Sequence, residues 1–504
     1  MTKYRFKTTP YDHQLEALKF LLRHKWGGAL LMEPRTGKTK VAIDYTAALH
    51  TKGEVNRVLV FSPVGVMSVW EEEFETHCPV PYRLLVWDRK NRKTQELPRY
   101  GKDILDVVVV NYDAASAPGA WHTITRGPRK GERVRSKTKG GRYEFKRKVK
   151  AWNPQLIILD ESHRIKSPTA RKSAAIHELG PLADYRLILT GTVVTKKKRI
   201  WDVYSQWKFL NPKRFTWPDG RAMTLADFKD YFSVVTKRNG FPQWLKNKNE
   251  DELHKIIHRD AFSVRREDCF DLPSLTDQII PVHLDESAHA YDQMAEDMVA
   301  RIKTGEITEA SIALVQSIRL RQLAGGIART VPSKEYPKGQ LRVIGREKLE
   351  TLQDRLEDLM EADEHVIIGA SFRPEIQLIE KLCRRHKYST WVVQGGVSLA
   401  DRKEARLKFE NTEGGAIFIG QPAAASEGID LRSAAITIWY SLPTSWVHFK
   451  QFSDRNALHP GPRFAEFLLA DGIDHTMYKT LQEDADMGKK FITNPETLLR
   501  EQKR

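Results

Sequence analysis

A turn with the sequence Gly37-Lys38-Thr39 stands between a short apolar run and a segment with helical spacing, 41–49. Backbone N–H groups of such a turn and the positive end of the following helix bind phosphate oxygens. Lys38 can reach the β- and γ-phosphates of ATP, and the Thr39 hydroxyl can bind Mg²⁺. Met32 occupies a position where the strict phosphate-loop pattern has glycine. The turn predicts an ATP site, with an ordinary turn as the alternative.

The residues around this turn are the first candidates for contacts with ATP. Upstream, the helix-start pattern Tyr11-Asp12-His13-Gln14 places a side-chain amide where it could hydrogen-bond the adenine edge, and a surface glutamine is the alternative. The predicted ATP contacts in this half of the chain are Gln14, Glu33, Pro34, Arg35, Thr36, Gly37, Lys38 and Thr39.

Two adjacent carboxylates, Asp160 and Glu161, end a second apolar run that begins at Leu156. Asp160 can hold Mg²⁺ through water, and Glu161 can act as the general base on the attacking water. His163 could relay the state of the ATP site to the rest of the protein, or it could cap a helix. We therefore predict that Lys38, Asp160 and Glu161 carry the chemistry.

The turn Thr190-Gly191-Thr192 ends another apolar run. Its hydroxyls could hydrogen-bond the acidic pair, so that the state of ATP is felt elsewhere in the protein. Hydrolysis requires the acidic pair to lie opposite the phosphate loop.

Apolar strand patterns alternate with helical segments along the first half of the chain, which predicts an α/β fold with a doubly wound parallel sheet. In such sheets ligands bind at the carboxyl ends of the strands, where these motifs fall. The segments that combine a strand with its following turn are Arg57–Pro63, Asp106–Tyr112, Leu156–His163 and Arg186–Thr192.

The second half repeats the alternation of strand and helix without a second phosphate loop, so it should not bind ATP alone. Its strand candidates are His365–Ser371, Trp391–Val393, Ala416–Gly420 and Ile436–Trp439.

Length and composition indicate a multidomain protein of a reducing compartment. At 504 residues the chain exceeds one core, and its three cysteines lie too far apart for a CxxC pair. No apolar run approaches the ~20 residues that span a bilayer, and the N-terminus lacks the pattern of a signal peptide. The sequence therefore argues against a membrane protein, a disulfide framework and a zinc site.

The net charge of +17 favours a polyanionic partner, most often nucleic acid, with solubility alone as the alternative. A basic insertion, 121–150, concentrates this charge, with twelve Lys and Arg residues between positions 126 and 150. It could be a flap that contacts DNA phosphates through Arg129, Lys130, Lys146 and Arg147, or a solvated loop.

Taken in order, Gly-Lys-Thr, Asp-Glu-Ser-His and Leu-Thr-Gly-Thr resemble the motifs of superfamily 2 helicases. More closely, the chain resembles the Snf-type branch, the motors of chromatin remodellers and related DNA translocases. Further similar segments are Asn211-Pro212, Arg265-Arg266, Arg319–Gln322, Lys348, Ala424–Leu431, Gln451–Arg455 and Asp471–Asp474.

This resemblance implies two tandem RecA-like lobes with helical insertions, the phosphate-loop NTPase core of superfamily 2, using ATP and Mg²⁺ on double-stranded DNA. It implies that Gly428, Asp430 and Arg455 contact ATP, and that Gln451 joins His163 and the turn 190–192 in coupling. The DNA contacts that it implies are Ser62, Pro63, Asn111, Tyr112, Thr190, Ser371 and Ser426.

One departure from the family pattern concerns hydrolysis. The family has a second arginine three residues after the first, where this chain has Leu458. Such motors need arginine against the γ-phosphate. Arg455 must supply this role alone, or Arg463 must substitute after a local shift.

The resemblance also suggests where the domains begin and end. We expect an ATP-binding lobe with the basic insertion, a helical insertion or linker, a helical protrusion of the second lobe, the second lobe itself, and a C-terminal helical brace. In that order the predicted ranges are 1–212, 213–275, 276–345, 346–470 and 471–504.

The leading hypothesis is a minimal motor that translocates on double-stranded DNA, plain, branched or forked, as a monomer in the cytoplasm of a bacterium or phage-infected cell. Its process would be DNA replication, recombination or repair. One alternative is a helicase that unwinds or anneals strands or migrates branches, and another is a DNA-binding module that binds ATP without hydrolysing it. An RNA helicase is disfavoured by Asp-Glu-Ser-His and Arg265-Arg266.

We predict that Lys38→Ala abolishes ATP hydrolysis and leaves a folded protein, because the variant loses the cation that binds the phosphates. Steady-state ATPase rate and circular dichroism test this together. A folded variant with normal turnover would remove the phosphate-loop assignment.

Overall fold

The computed structural model describes residues 4–87, 95–116, 121–123, 133–135, 141–238, 241–270, 273–303, 310–329, 341–425 and 429–492. The chain forms two compact units. The first comprises residues 1–270 together with 486–504, and the second comprises residues 271–485.

The first unit contains a seven-stranded parallel sheet in the order β11-β1-β8-β7-β2-β4-β3. Its elements in chain order are α1 (Asp12–Arg23), β1 (Gly27–Met32), α2 (Lys38–Thr51), β2 (Arg57–Ser62), α3 (Met67–His77), β3 (Tyr82–Val86), β4 (Leu105–Asn111), α4 (Tyr112–Ser116), β5 (Trp121–Thr123), β6 (Arg133–Arg135), α5 (Gly141–Trp152), β7 (Leu156–Asp160), α6 (Arg171–Leu179), β8 (Tyr185–Leu189), α7 (Asp202–Leu210), α8 (Leu225–Phe232), β9 (Ser233–Arg238), β10 (Phe241–Asn247), α9 (Glu250–His258) and β11 (Ala261–Val264).

Helices cover both faces of this sheet, so its central strands are apolar on both sides. In β2, Leu59 and Phe61 pack into one core with α5, α6 and α7, whereas Val58 and Val60 pack into the other with α1, α2 and α3. The β-branched run of β4, Val107–Val110, is fully buried. The predicted doubly wound arrangement is confirmed for this unit.

The second unit contains a six-stranded parallel sheet in the order β12-β19-β18-β15-β17-β16. Its elements are β12 (Leu275–Val282), α10 (Ala288–Lys303), α11 (Ala310–Ala324), β13 (Ile327–Arg329), β14 (Leu341–Val343), α12 (Glu347–Glu361), β15 (His365–Gly369), α13 (Arg373–Arg385), β16 (Ser389–Val393), α14 (Leu399–Glu410), β17 (Ala416–Gly420), α15 (Pro422–Ala425), β18 (Ile436–Trp439), α16 (Trp446–Ser453), β19 (Arg463–Ala470) and α17 (Ile473–Ile492).

This sheet is also covered on both faces. Val366 and Ile368 of β15 pack with α12 and α13, whereas Ile367 packs with Phe409 of α14 and Phe452 of α16. Both units are therefore parallel-sheet α/β structures, and the predicted fold class is confirmed.

The segments predicted to be helical insertions contribute strands to both sheets. Within 213–275, β9 and β10 form an antiparallel hairpin, and β11 pairs with β1 in the first sheet. Within 276–345, β12 forms an edge of the second sheet. Both sheets therefore extend into the predicted insertions. Neither strand gives a long apolar run in the sequence, because β11 has only four residues and most of β12 is exposed.

The predicted C-terminal brace, 471–504, contains the helix α17, and its residues from 486 onward belong to the first unit. There Phe491 packs in the first unit's core, and Lys490 pairs with Glu250 at 3.0 Å. Among the described residues, no helix has the length and apolar character needed to cross a membrane.

Gly27 starts β1 with a φ of 108°, and an added Cβ would lie 1.9 Å from the backbone oxygen of Arg186 in β8. We expect Gly27→Ala to lower the free energy of unfolding by about 4 kcal/mol or more, because backbone must move. The control Gly53→Ala has a φ of 74° and nothing within 4 Å, so it carries only left-handed strain, roughly 1–2 kcal/mol. Urea unfolding compares the two, and equal losses would contradict the prediction.

Candidate functional site

The phosphate loop connects β1 to α2 at the carboxyl end of the first sheet. Gly37 caps α2 with a φ of 82°, and an added Cβ there would lie 2.1 Å from the Gln14 amide nitrogen. Only glycine fits both the left-handed backbone and this close approach. Thr39 is the second residue of α2, so the loop and the first N–H groups of the helix form the arrangement that binds phosphate.

Lys38 lies folded over the loop. Its Nζ donates to the carbonyl oxygen of Met32 at 2.8 Å and to that of Glu33 at 3.1 Å. Met32 is fully buried as the last residue of β1 and pairs with Val264 of β11. Its side chain therefore packs in the core, which explains how this position accommodates a residue other than the glycine of the strict pattern.

Gln14 holds the loop from the side of α1. Its Nε2 donates to the Thr36 carbonyl oxygen at 3.3 Å, and its Oε1 accepts from the Tyr11 N–H at 3.1 Å. Sequence reasoning missed the neighbouring His13, whose Nε2 lies 2.9 Å from the same carbonyl oxygen. The His13 ring stacks on Tyr11 and meets the edge of Phe270, which gives this side of the loop an aromatic surface.

Two further contacts fix the backbone of the loop. The Arg266 N–H donates to Glu33 Oε2 at 3.0 Å, which ties the loop to the Arg265-Arg266 pair recognised in the sequence. Gly191 packs so closely that an added Cβ would lie 2.9 Å from Pro34 Cδ. The turn after β8 therefore touches the phosphate loop directly.

Asp160 is buried at the end of β7, where two elements bind its carboxylate and a third binds its backbone oxygen. Asp160 Oδ2 accepts from Ser62 Oγ of β2 and from Trp70 Nε1 of α3, both at 3.0 Å, and its backbone oxygen accepts from the Tyr112 hydroxyl at 2.6 Å. Burial and the negative charge of Glu161 raise the pKa of Asp160 above its ordinary value. Such a site favours a nearby cation.

Glu161 leads from the acidic pair to the next turn. Its carboxylate pairs with His163 Nδ1 at 3.2 Å, which itself lies 3.3 Å from Thr190 Oγ1. Burial works to raise the pKa of Glu161, but the hydrogen bond and charge of His163, with the charges of Lys38 and Arg164, hold it below its ordinary value. Glu161 is therefore ionised at neutral pH.

The turn after β8 is held by its own hydroxyl group. Thr190 Oγ1 accepts from the Thr192 N–H at 3.0 Å and donates to the Thr192 carbonyl oxygen at 3.1 Å. The structure thus joins Glu161, His163, Thr190 and Thr192 in one chain of contacts, which ends beside the phosphate loop at Gly191.

These groups fit ATP with Mg²⁺. A hydroxyl at Thr39 and a carboxylate at Asp160 are hard oxygen ligands, which Mg²⁺ takes from proteins one or two at a time alongside phosphates and water. Strand β8 alone separates β1 from β7, so the loop and the acidic pair share one edge of the sheet.

Most of the residues predicted to contact DNA in the first unit are buried. Ser62 and Thr190 are fully buried, Tyr112 is almost so, and Pro63 is also buried. Their polar groups bind Asp160 or the neighbouring turn rather than facing solvent. Asn111 is half-buried, and its Oδ1 accepts from the Ala114 N–H at 2.9 Å at the start of α4.

The predicted basic flap is partly a core helix. Helix α5 buries Phe145, Val149 and Trp152, and Lys146 pairs with Glu178 of α6. Lys146 is therefore half-buried and paired with a residue of the same unit, whereas Arg147 is exposed. The predicted contacts Arg129 and Lys130 lie outside the described residues.

In the second unit, Arg455 is buried and donates to the carbonyl oxygens of Gln451 and Ile429, both at 2.6 Å. Asp430 adjoins Ile429 and is half-buried. Arg463, the alternative to Arg455, begins β19 and is also buried. The predicted residues Ser426 and Gly428 lie outside the described residues.

Ser371 follows β15 and is held by the loop after β18. Its N–H donates to Ser441 Oγ at 2.8 Å, and its own Oγ donates to the Ser441 carbonyl oxygen at 3.2 Å. The Gln421 amide donates to the Ser371 carbonyl oxygen at 3.1 Å. A cavity of about 340 Å³ opens beside this group, lined also by His448.

With the geometry established, comparison with known proteins decides the family. Residues 13–324 match the SNF2-related domain, and residues 347–457 match the helicase conserved C-terminal domain. The chain belongs to the SNF2-related family. The Snf-type ATPase of superfamily 2 recognised in the sequence is thereby confirmed.

The SNF2-related chain is 24% identical over 462 residues to Protein CHROMATIN REMODELING 4 of Arabidopsis thaliana, which covers 85% of this chain and 18% of that protein. It is 23% identical to DNA excision repair protein ERCC-6 of Mus musculus, covering 93% of this chain and 31% of that protein. The chain thus spans under a third of the length of both. The Sulfolobus solfataricus SWI2/SNF2 ATPase core in complex with dsDNA is similar at a TM-score of 0.43 and 20% identity, covering 98% and 94% of the two chains.

In this SNF2-related chain, the loop that holds Ser371 rests on a buried carboxylate. Glu375 accepts from Ser441 Oγ and from the Phe372 N–H at 3.2 Å. Burial raises the pKa of Glu375 to about 7, against the opposing effects of Ser441, Lys348 and Arg321.

We predict that Glu375→Gln gains stability relative to the wild type as pH rises from about 5 to about 7. The folded wild type holds this proton more tightly than the unfolded chain, so its free energy of unfolding falls through this window, by about 1.4 kcal/mol per pH unit at most. Urea unfolding across pH measures the difference, with exposed Glu361→Gln as control. Parallel curves for Glu375→Gln and the wild type would contradict the prediction.

Proposed function

We propose that this chain couples ATP hydrolysis to movement along double-stranded DNA. The observation that carries the proposal is that the phosphate loop and the acidic pair lie at one edge of the sheet, with the turn after β8 contacting both through Gly191 beside Pro34 and through His163 between Glu161 and Thr190. A phosphate-binding cation, a metal-binding carboxylate and an ionised base at one sheet edge are the parts that hydrolysis of a phosphoanhydride requires.

The residues of this chain have separable tasks in that reaction. Lys38 and the N–H groups at the start of α2 bind the phosphates, and Gln14 with His13 holds the loop in place. Glu161 accepts the proton of the attacking water. Bound Mg²⁺, held by Thr39 and Asp160, would stabilise the charge that develops on the phosphate oxygens.

The contacts beyond Glu161 support a coupling role. His163 touches both Glu161 and Thr190, and Gly191 touches Pro34 of the phosphate loop. A change in the charge around Glu161 would therefore act on the turn after β8 through direct contacts. Coupling of this kind requires an element with two arrangements, which we assign to this turn.

The DNA partner and the process belong to the proposal. The net charge of +17 supports a polyanion, and the relatives named for chromatin remodelling and DNA excision repair support DNA. Phosphate contacts position a protein without reading sequence, which suits movement over arbitrary duplex. The proposal also includes a role in DNA replication, recombination or repair, a bacterial or phage origin, a cytoplasmic location and a monomeric state.

The test is the steady-state ATPase rate without nucleic acid and with duplex DNA, single-stranded DNA, forked DNA and RNA. Strong stimulation by plain duplex supports the translocase. Preference for forks or single strands would favour strand unwinding or annealing. ATP binding without hydrolysis under every condition would show that the change at Leu458 has removed the chemistry.

We predict that Glu161→Gln lowers duplex-stimulated turnover by about 10²–10⁴-fold and leaves ATP binding intact, because an amide cannot accept the proton. Nucleotide binding is measured by fluorescence titration beside the ATPase rate. Glu71→Gln, an exposed change on α3, is the matched control. Unchanged turnover in Glu161→Gln would exclude Glu161 as the base.

A further inference from the structure

A group of lysines lies on the surface where the loop after Thr195 meets the β9–β10 hairpin. Lys196 and Lys198 of the loop are exposed, as are Lys246 and Lys248 at the end of the hairpin. We call these four residues the lysine patch. None of the motifs that identify the family includes them.

Specific contacts join the two segments. The Asn247 amide donates to the Lys197 carbonyl oxygen at 3.0 Å, and the Lys198 ammonium lies 5.9 Å from the centre of the Trp244 ring. Trp244 Nε1 in turn donates to Asn247 Oδ1 at 2.9 Å. The four cations are therefore presented by one connected surface rather than by independent loops.

The patch is not neutralised internally. Within the described ranges, no ion pair involves any of the four lysines. The carboxylates that contact the two segments have other partners, since buried Asp202 accepts from Thr195 and pairs with Arg199, and Glu250 pairs with Lys490.

Neighbouring cations add to the positive field. Lys166 Nζ donates to Thr195 Oγ1 at 2.9 Å, directly beside Lys196. Burial lowers the pKa of Lys166, and the charges of Arg199, Lys196 and Lys172 lower it further against the effect of Asp202. Repulsion between clustered positive charges that have no counter-charge destabilises the protein, and a bound polyanion relieves this repulsion.

We propose that the lysine patch binds the sugar-phosphate backbone of double-stranded DNA. Lysine ammonium groups bind phosphates as point charges and need no base sequence, as expected for a protein that moves along arbitrary duplex. The patch also starts four residues after Thr192, in the turn that contacts the phosphate loop. DNA bound at the patch would therefore act close to the turn 190–192, which also contacts the phosphate loop. This inference rests on the proposed function, and its test separates the two.

The test variant replaces the four lysines with glutamine: Lys196→Gln, Lys198→Gln, Lys246→Gln and Lys248→Gln. A matched control removes four exposed lysines from α1 and from segments outside the patch: Lys19→Gln, Lys25→Gln, Lys52→Gln and Lys102→Gln. A second variant changes the four patch lysines to arginine, which keeps the charge. All are compared with the wild type in affinity for a labelled duplex, by anisotropy, across salt concentrations.

We expect the slope of log K against log salt concentration, which is negative, to become shallower in the patch-to-glutamine variant by about 2–3.6 units, since each phosphate contact contributes about 0.9 to its magnitude. The control and the arginine variant should keep the slope of the wild type. A patch slope equal to that of the control would overturn the proposal, even where the wild type binds duplex well. Failure of the wild type to bind duplex would instead overturn the proposed function.

An acidic polypeptide is the other polyanion to exclude. Competition with poly-glutamate measures it in the same assay. Displacement of duplex by poly-glutamate at equal charge concentration, lost in the patch variant but not in the control, would show that the patch selects acidic protein and would overturn the DNA assignment. Circular dichroism and melting temperature confirm that each variant is folded.

Discussion

The burial of the Asp160 carboxylate is the constraint on which the first unit depends. A buried carboxylate is costly unless hydrogen bonds and nearby cations compensate it. Here Ser62 of β2 and Trp70 of α3 donate to the carboxylate, and Tyr112, which follows β4, donates to the backbone oxygen of Asp160. Three neighbouring segments are thereby fixed to the end of β7, and the position of the acidic pair relative to the phosphate loop follows from that arrangement. The hydroxyl groups of Ser62 and Tyr112, at the ends of neighbouring strands, are thus already hydrogen-bonded to Asp160 of the ATP site.

A buried carboxyl group also organises the strand ends of the second unit. Glu375 is buried at the start of α13, where it holds the backbone after β15 and the loop after β18 through Phe372 and Ser441. Lys348, also buried, donates to the Tyr440 carbonyl oxygen at 3.1 Å and pairs with Asp474. Each unit therefore organises the turns at its strand ends around a buried carboxyl group.

Sequence reasoning found most of the central strands of both sheets, because strands buried on both faces are continuous apolar runs. It did not find β19, which lies between β12 and β18 in the second sheet, or the edge strand β3. It missed the edge strands β11 and β12, one of which is short and the other largely exposed, and the β9–β10 hairpin, although Asn239-Gly240 is a hairpin signal. It identified the loop and the acidic pair by residue type, but it assigned Ser62 and Tyr112 to DNA because a sequence does not show which polar side chains are buried. The contact of Arg266 with Glu33 was equally hidden, since it depends on the pairing of β11 with β1.

The folded position of Lys38 makes ligand binding an exchange. Its ammonium group already has two carbonyl partners, so a ligand gains only the difference between those bonds and the new ones. A neutral oxygen offers the ammonium group no more than the carbonyl oxygens do, whereas a phosphate oxygen adds the attraction between opposite charges. The loop would therefore select ligands by their negative charge. A ligand with little negative charge leaves Lys38 hydrogen-bonded to the two carbonyl oxygens, whereas a polyphosphate displaces it from them. By this competition the loop would select ATP over adenosine and adenine.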